Sequence, residues 1–364
     1  ILEDMPRLDW SGSCPSLLLE PSRTNLMSHS EYAEGNQFFQ NLTAEYNATT
    51  SPEGLQNATR ITSTGTGVHQ YGSYPVVSSG VGIVGSIFVK ADATEYVQFF
   101  FGGGPASGSP YANFFIGDNP SVEREIDLTA SIEDYGNGWL RLIVKQTTDA
   151  SGALTFGVMP IPNGTTNRAA SYTANGESIF TYGFQAEQDA TYPTSYIPTY
   201  GVSQTRLADV CVDAGDVNTF NSTEGVFYFE GNAFVSDPSA EGQIYIYNDS
   251  GSELISIRFN RISANNIFVG MAGTTGASGF IQNNSVDLTN TFKLALKYSV
   301  GSWKLYVNGN LLGTTNATTF AANSLNSLNL SSSLGTIPFI GNVNQTLLFP
   351  TALSDGECIA LTTI

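Results

Sequence analysis

Charge is what this sequence has least of. Only 13% of its 364 residues are Asp, Glu, Lys or Arg, about half of the usual quarter, so its surface has to be built from Ser, Thr, Asn, Gly and Gln. The charges present are one-sided: 14 basic against 32 acidic side chains, a net charge of −18. Such a surface repels phosphate backbones and anionic lipid, which argues against nucleic acid and against membranes as partners. Cysteine is scarce. Cys14, Cys211 and Cys358 are too few and too scattered for a disulfide framework or a thiolate metal site, and an odd number leaves at least one unpaired within the chain. Each is expected to be a buried free thiol. No stretch approaches the ~20 consecutive apolar residues of a membrane span. The opening ILEDMPRLDW has neither an initiator Met nor a charged-then-apolar signal segment, so the chain is expected to have been trimmed or to begin part-way into a longer product.

Apolar material is present in ordinary amount, 41% hydrophobic and 12% aromatic, and this length is comfortable for two cores. Helical periodicity is almost missing, whereas short alternating runs bounded by Gly, Asn and Ser recur throughout. GSIFVKA (85–91), YVQFFF (96–101), WLRLIVKQTT (139–148), LTFGVM (154–159) and IFTYGFQAEQ (179–188) read as strands. A second group follows: GVFYFEGNAFV (225–235), QIYIYND (243–249), LISIRFN (254–260) and NIFVGMAG (266–273), then FKLALKYS (292–299), WKLYVNGNLLGTT (303–315) and FIGNVNQTLLFP (339–350). Spacing of this kind with turn signals between is the pattern of β-sandwiches. Asn308-Gly309, flanked by alternating apolar residues, supplies the two positive-φ residues of a type I′ hairpin turn. Only LSDGECIALTT (353–363) reads as helix, with Ser354 as cap and Asp355 and Glu357 in the first turn.

Between the two groups lies TYPTSYIPTYGVSQTRLADVC, whose prolines forbid helix and whose tyrosines are large apolar bodies with a polar tip. It is expected to run extended along the first domain, with Tyr192, Tyr196 or both largely buried, and to hand over to the second. The chain thus divides into an N-terminal arm (1–30), a first sandwich (31–190), a strap (191–211) and a second sandwich (212–364). The arm, with Leu2, Leu8, Trp10 and Leu17-Leu18-Leu19, carries more apolar surface than a free tail should expose, and is expected to be ordered, on its own sandwich or on a neighbouring chain.

PRLDWSGSCPSLLLEPSRTNLMSHSE (6–31) resembles the lead-in of a module found in bacteriophage tail and virion-surface proteins, where a strand like LLIEPARTNL precedes a carbohydrate-binding-type jelly roll. DYGNGWLRLIVKQTT (134–148) is similar to its GWYR strand, YGFQAEQDATYPTSYIPT (182–199) to its closing strap, and TRLADV (205–210) to its exit. FKLALKYSVGSWKLYVNGNLLGTT and IGNVNQTLLFPTALSDGECIALT resemble the paired strands and the last strand and helix of a laminin-G or concanavalin A-like sandwich. The resemblance implies an all-β protein of two consecutive antiparallel sandwiches, jelly roll then concanavalin A/laminin-G-like, on the surface of a virion. Such a tail fibre or capsid-attached fibre would meet bacterial surface polysaccharide and other virion proteins, and would assemble as a homo-oligomer, with a trimer favoured.

The residues do not spell an enzyme. Glu125 and Asp127 in EIDLTA begin a glucanase-like Glu-x-Asp-x-x-Glu pattern, but Ala130 stands where the third carboxylate belongs. His29 and His69 are the only histidines; GVHQYGSY sets His69 beside Tyr71 and Tyr74, yet the partner strands of a polysaccharide lyase are missing, and a surface loop histidine is expected. No Gly-x-Ser-x-Gly elbow or phosphate-cradling Lys loop occurs, and FFGGGPASGSP (100–110) opens no helix. Asn-x-Ser/Thr triplets, for example at Asn41, Asn47, Asn57, Asn163 and Asn316, arise by chance in such a composition. Sugars are held by aromatic platforms and by Asn, Asp and Gln in shallow sites, so Tyr71, Tyr74, Tyr111, Phe114 and Asp118 are the ligand-binding candidates; packing of these aromatics into the core is the competing expectation. No cofactor is expected. Loop aspartates Asp118, Asp237, Asp249 and Asp355 make calcium conceivable, but no Asp-x-Asp-x-Asp-Gly loop exists. Alternatives are a purely structural virion component, or a polysaccharide-acting enzyme or its binding module.

Overall fold

A computed structural model describes residues 6–10, 12, 14–235, 237–274 and 278–364. The chain is all-β apart from short 3-10 turns and one helix, Asp355–Thr362, and it forms antiparallel β-sandwiches, the class expected. It folds as two compact units, one made of Ser22–Leu207 and the other of the residues up to Pro21 together with Ala208–Ile364. The first unit is therefore an insertion. The second, the host, begins, is interrupted for the whole of the inserted sandwich, and then resumes.

The inserted sandwich has two six-stranded sheets. One runs Thr129–Asp134, Leu140–Thr147, Gly82–Ala91, Ser178–Gln188, Ala58–Ser63, Leu42–Thr49; the other runs Ser121–Ile126, Tyr111–Phe115, Tyr96–Gly102, Thr155–Pro160, Gln70–Ser73, Phe38–Gln40. Period-2 alternation builds the core between them: Val97, Phe99 and Phe101 point inward beside Ile87, Val89, Phe156 and Phe184, all buried. Fully burying each such ring stabilises by about 1.5–3 kcal/mol. Where the chain enters and leaves, Arg23–Asn25 and Gln204–Arg206 pair antiparallel, Thr24 opposite Thr205.

In the host sandwich the seven-stranded sheet runs Leu8–Asp9, Ser16–Leu19, Gly341–Phe349, Gly225–Ala233, Phe292–Ser299, Ser302–Val307, Asn310–Thr315. The five-stranded sheet runs Ser278–Asn283, Ile267–Ala272, Leu254–Phe259, Gly242–Tyr247, Ser327–Asn329. Phe227, Phe229, Phe259, Phe292 and Phe339 meet between them. Two local readings hold. Asn308 (φ 49°) and Gly309 (φ 76°) turn the hairpin between Ser302–Val307 and Asn310–Thr315. Ser354 caps the helix with a capping box, its hydroxyl accepting from the Glu357 N–H while the Glu357 carboxylate accepts from the Ser354 N–H.

The arm departs from expectation. It is not a separate element of thirty residues: the strand Ser16–Leu19 pairs with Gly341–Phe349, Leu17 opposite Val343, extending the seven-stranded sheet, while residues from Ser22 onward belong to the inserted sandwich. Leu17-Leu18-Leu19 lose their apolar surface by completing that sheet edge, with Leu19 buried in the host core. Leu8 and Trp10 stay exposed, and Leu2 lies outside the described residues. A part-buried ion-pair knot fastens the arm. Arg7 Nη1 donates to Glu20 Oε2 at 2.6 Å, Arg7 Nε donates to Asp209 Oδ1 at 2.9 Å, and the Glu20 N–H donates to Asp209 Oδ2 at 2.7 Å.

The strap divides too, its residues up to Leu207 lying in the inserted sandwich. Residues 191–199 lie along the outer face of the Gly82–Ala91 sheet, but threonines rather than tyrosines are the buried anchors. Thr194 and Thr199 are buried with Ile197, whereas Tyr192 and Tyr196 are half-buried. The reason is the sheet face beneath, which is polar. The buried carboxylate of Glu187 accepts from the Thr194 N–H at 2.9 Å and from its hydroxyl, and buried Arg141 donates to the Thr194 carbonyl at 2.7 Å. Tyr196 lies over the rim against Tyr182 and Phe88, and its hydroxyl donates to Glu31 at 2.9 Å. Burial, with the Glu31 charge beside it, pushes that hydroxyl far above the usual tyrosine value.

Candidate functional site

The candidates chosen from sequence do not come together. Tyr71 and Phe114 are core residues between the two sheets of the inserted sandwich, and Tyr111 is buried under the guanidinium of Arg124, 5.3 Å from its ring. Alternation places them there: Ala112 and Phe114 face inward, and Tyr71 packs edge-on against Phe184. None offers a face to a sugar. Tyr74 is 42% exposed but leans on Phe38 at the end of Gln70–Ser73, and Asp118 is exposed in the turn before Ser121–Ile126, toward the other edge of the sheet.

His69 is not a surface residue. It is buried against Tyr172, ring centroids 4.1 Å apart, with Nε2 on the Thr64 carbonyl at 3.1 Å. Trp139, Trp303 and Tyr306 are buried. Of the thiols only Cys358 is buried; Cys211 is half-buried and Cys14 exposed, because Cys14 lies in the turn of the arm hairpin rather than on an inward strand position.

Three of the four calcium candidates are engaged by other groups. Asp355 sits between the ammonium groups of Lys297 (2.8 Å) and Lys304 (2.5 Å). Asp237 accepts from Ser239, and Asp249 from Asn326. Among the described residues no three of His, Cys, Asp and Glu gather as a metal site.

The central strands of the inserted sandwich are covered on their outer faces by its own chain. The strap covers one sheet, and the segment 161–173 covers the other. There Asn113 Nδ2 donates to the carbonyls of Gly164 (2.8 Å) and Thr166 (2.7 Å), and Arg168 Nη2 donates to that of Phe101 at 2.5 Å.

The five-stranded sheet of the host presents a different surface. One row across its outer face reads Tyr245, Ser256, Gly270, Phe280, and the next reads Gln243, Arg258, Phe268, Gln282. Phe280 is 62% exposed and stacks on Phe268 at 5.7 Å and 13°. Gly270 makes room for that ring, since a Cβ there would stand 2.9 Å from Phe268. The guanidinium of Arg261 lies 4.3 Å from the Phe268 ring centroid and has no hydrogen-bond or ion-pair partner among the described residues. Arg258 Nη2 donates to the Tyr245 hydroxyl at 2.7 Å, with Glu241 3.9 Å from Nη1. The result is a shallow apolar platform with a free cation at one end and donors and acceptors beside it. Phe268 was legible in NIFVGMAG, where it takes the parity opposite Ile267 and Val269. Phe280 was not, because its strand is too polar to register as one.

The sequence matches no known protein-family profile and no curated protein. Among solved structures the fold is similar to the CBM40 of a Ruminococcus gnavus IT-sialidase (16% identity, 43% of this chain and 96% of that one, TM-score 0.35). It is similar also to a SAP-like pentraxin of Limulus polyphemus (12% identity, 41% and 72%, TM-score 0.32) and to domains LG4-5 of the mouse laminin alpha1 chain (9% identity, 90% and 95%, TM-score 0.29). At such scores these likenesses carry no argument about function.

Proposed function

We propose that this chain is a non-enzymatic virion-surface protein, a tail fibre or capsid-attached fibre, that binds bacterial surface glycan through the outer face of its five-stranded host sheet. The observation that carries the binding is the Phe268–Phe280 pair. An aromatic left open on a flat sheet face, flanked by Arg261, Gln282 and Ser278, matches the apolar face and hydroxyl rim of a pyranose. The free guanidinium of Arg261 favours a ring bearing an anionic substituent. Lack of enzymatic activity rests on the sequence, which has no paired-carboxylate, Ser-His or lyase constellation. The virion assignment rests on the order of the phage-like segments alone.

Glycan arrays of bacterial surface polysaccharides test the binding. Wild type gives selective signals and Phe280→Ala loses them; a wild type without selective signals would leave a purely structural virion component. Reproducible cleavage products from the same polysaccharides would make the protein an enzyme. Exposed Leu8 and Trp10, at 45% and 70%, lie at the outer edge of the arm hairpin and support self-association, with a trimer favoured. Light scattering tests that, a monomer being the contrary result.

A further inference from the structure

The five-stranded host sheet differs from the rest of the molecule in charge as well as in shape. Acidic side chains outnumber basic ones by 32 to 14 along the chain, yet none of the five strands of this sheet contains an Asp or a Glu. The other large sheets all do. Asp9 and Glu230 lie in the seven-stranded sheet, Glu45 and Glu187 in one sheet of the inserted sandwich, and Glu123 and Glu125 in the other. The platform is thus a gap in an acidic surface.

The few charges around it are unequally engaged. Arg258, the one charged strand residue, has Glu241 3.9 Å from Nη1 and donates from Nη2 to the Tyr245 hydroxyl. Glu241 itself accepts from Gln243 Nε2 at 2.8 Å, and Asp237, in the loop that leads to Gly242, accepts from the N–H and hydroxyl of Ser239. Arg261, in the loop after Phe259, is exposed and has no carboxylate within ion-pair distance among the described residues. Seated over the Phe268 ring, its guanidinium keeps the edge that carries the N–H donors for a ligand.

We infer that the ligand of this face is an acidic polysaccharide whose sugars carry carboxylates, and that Arg261, not Arg258, is the residue that selects for it. A sugar carboxylate pairs with the Arg261 fork while an apolar sugar face stacks on Phe280. This selectivity rests on the platform being the glycan site. The net charge of −18 opposes any anionic ligand, and screening decides between the two effects. At physiological ionic strength the field of an exposed charge fades within about 8 Å, so a ligand on a sheet with no carboxylate of its own meets Arg261 rather than the distant acids. Elsewhere the same acids repel it, which confines an acidic glycan to this face.

The test uses the full chain on an array of uronate-bearing oligosaccharides and the same oligosaccharides carboxyl-reduced to neutral sugars, with Arg261→Gln, Arg261→Lys and Phe280→Ala alongside wild type. Arg261 and Phe280 are exposed, and unchanged melting temperatures show that each variant folds. Wild type is expected to bind the uronate form at least about tenfold more tightly than the reduced form, about 1.4 kcal/mol. Arg261→Gln brings the two forms to equal affinity, and Arg261→Lys restores part of the preference, because the charge returns without the fork. Phe280→Ala weakens both forms. Equal affinity for the two forms in wild type, tighter binding of the reduced form, or a uronate preference that survives Arg261→Gln would each overturn the inference and leave the platform standing. A failure of the platform reading looks different: there, Phe280→Ala binds both forms as wild type does, or wild type binds neither.

Discussion

The two sandwiches cover the outer faces of their sheets to different extents. In the inserted sandwich the central strands of each face are roofed by a segment of the same chain, and the polar residues there, Gln98, Asn113, Arg141 and Glu187, are buried and bonded to roof backbone. In the host sandwich the helix covers Val226, Ala295 and Tyr306 on the seven-stranded sheet, but Phe280, Arg261, Asn344 and Gln345 stay in solvent. A buried polar group hydrogen-bonded to a strap holds that strap in place; the same kind of group left open is available to a ligand. Composition does not separate the two units in this respect. The difference lies in where the loops go.

The largest effect expected from attacking this contrast is on the host. Arg7→Ala leaves Glu20 and Asp209 close together without their cation, and loss of one partner of such a knot costs about 3 kcal/mol or more. The host transition in calorimetry should fall, while the inserted sandwich melts unchanged. Next is Tyr196→Ala, which lifts the strap. A loss of about 2 kcal/mol is expected for a half-buried aromatic, confined to the inserted sandwich; equal losses in both units would mean that they unfold as one. Phe280→Ala should change stability by less than about 0.5 kcal/mol while lowering platform binding about tenfold, about 1.4 kcal/mol. A large destabilisation would make Phe280 a packing residue.

The smallest effect is from acid. Lys297, Lys304 and Tyr306 hold the Asp355 carboxyl well below the usual carboxylate range. Because the folded value is the lower one, this stabilisation is complete above the unfolded aspartate value of about 3.9 and is lost as pH falls below it. Helix docking in the host should therefore weaken modestly below about pH 4 relative to an Asp355→Asn variant, read from the host melting temperature across pH.

What the sequence made legible was local. Asn308-Gly309 and the Ser354–Glu357 box each specify structure within four residues, and inward alternation in YVQFFF fixes Phe99 and Phe101 in a core. What it hid was distant or a matter of parity. Nothing near Leu17 announces a partner at Val343, so the sequence points to an ordered arm without showing which sheet it joins. Tyr71, Tyr111 and Phe114 looked like loop aromatics because the strands carrying them are short and interrupted by Gly or Asn, which obscures the period. The strap's position was readable from its prolines, yet its threonine anchors depend on Glu187 and Arg141, polar residues that ordinary patterning assigns to solvent.

The pairing of the arm with the final strand also sets an order of events during synthesis. Asp9 and Asn342 are separated by 333 residues, and closing so long a loop carries an entropy cost that grows slowly with length but has to be met before the contact contributes anything. The inserted sandwich has all its strands once Leu207 has emerged. The arm, made before the inserted sandwich, stays without its strand partner until Gly341–Phe349 leaves the ribosome. Leu17, Leu18 and Leu19 thus stay exposed while the whole inserted sandwich is made, which makes the arm a natural point for chaperone capture and for misassembly between neighbouring chains.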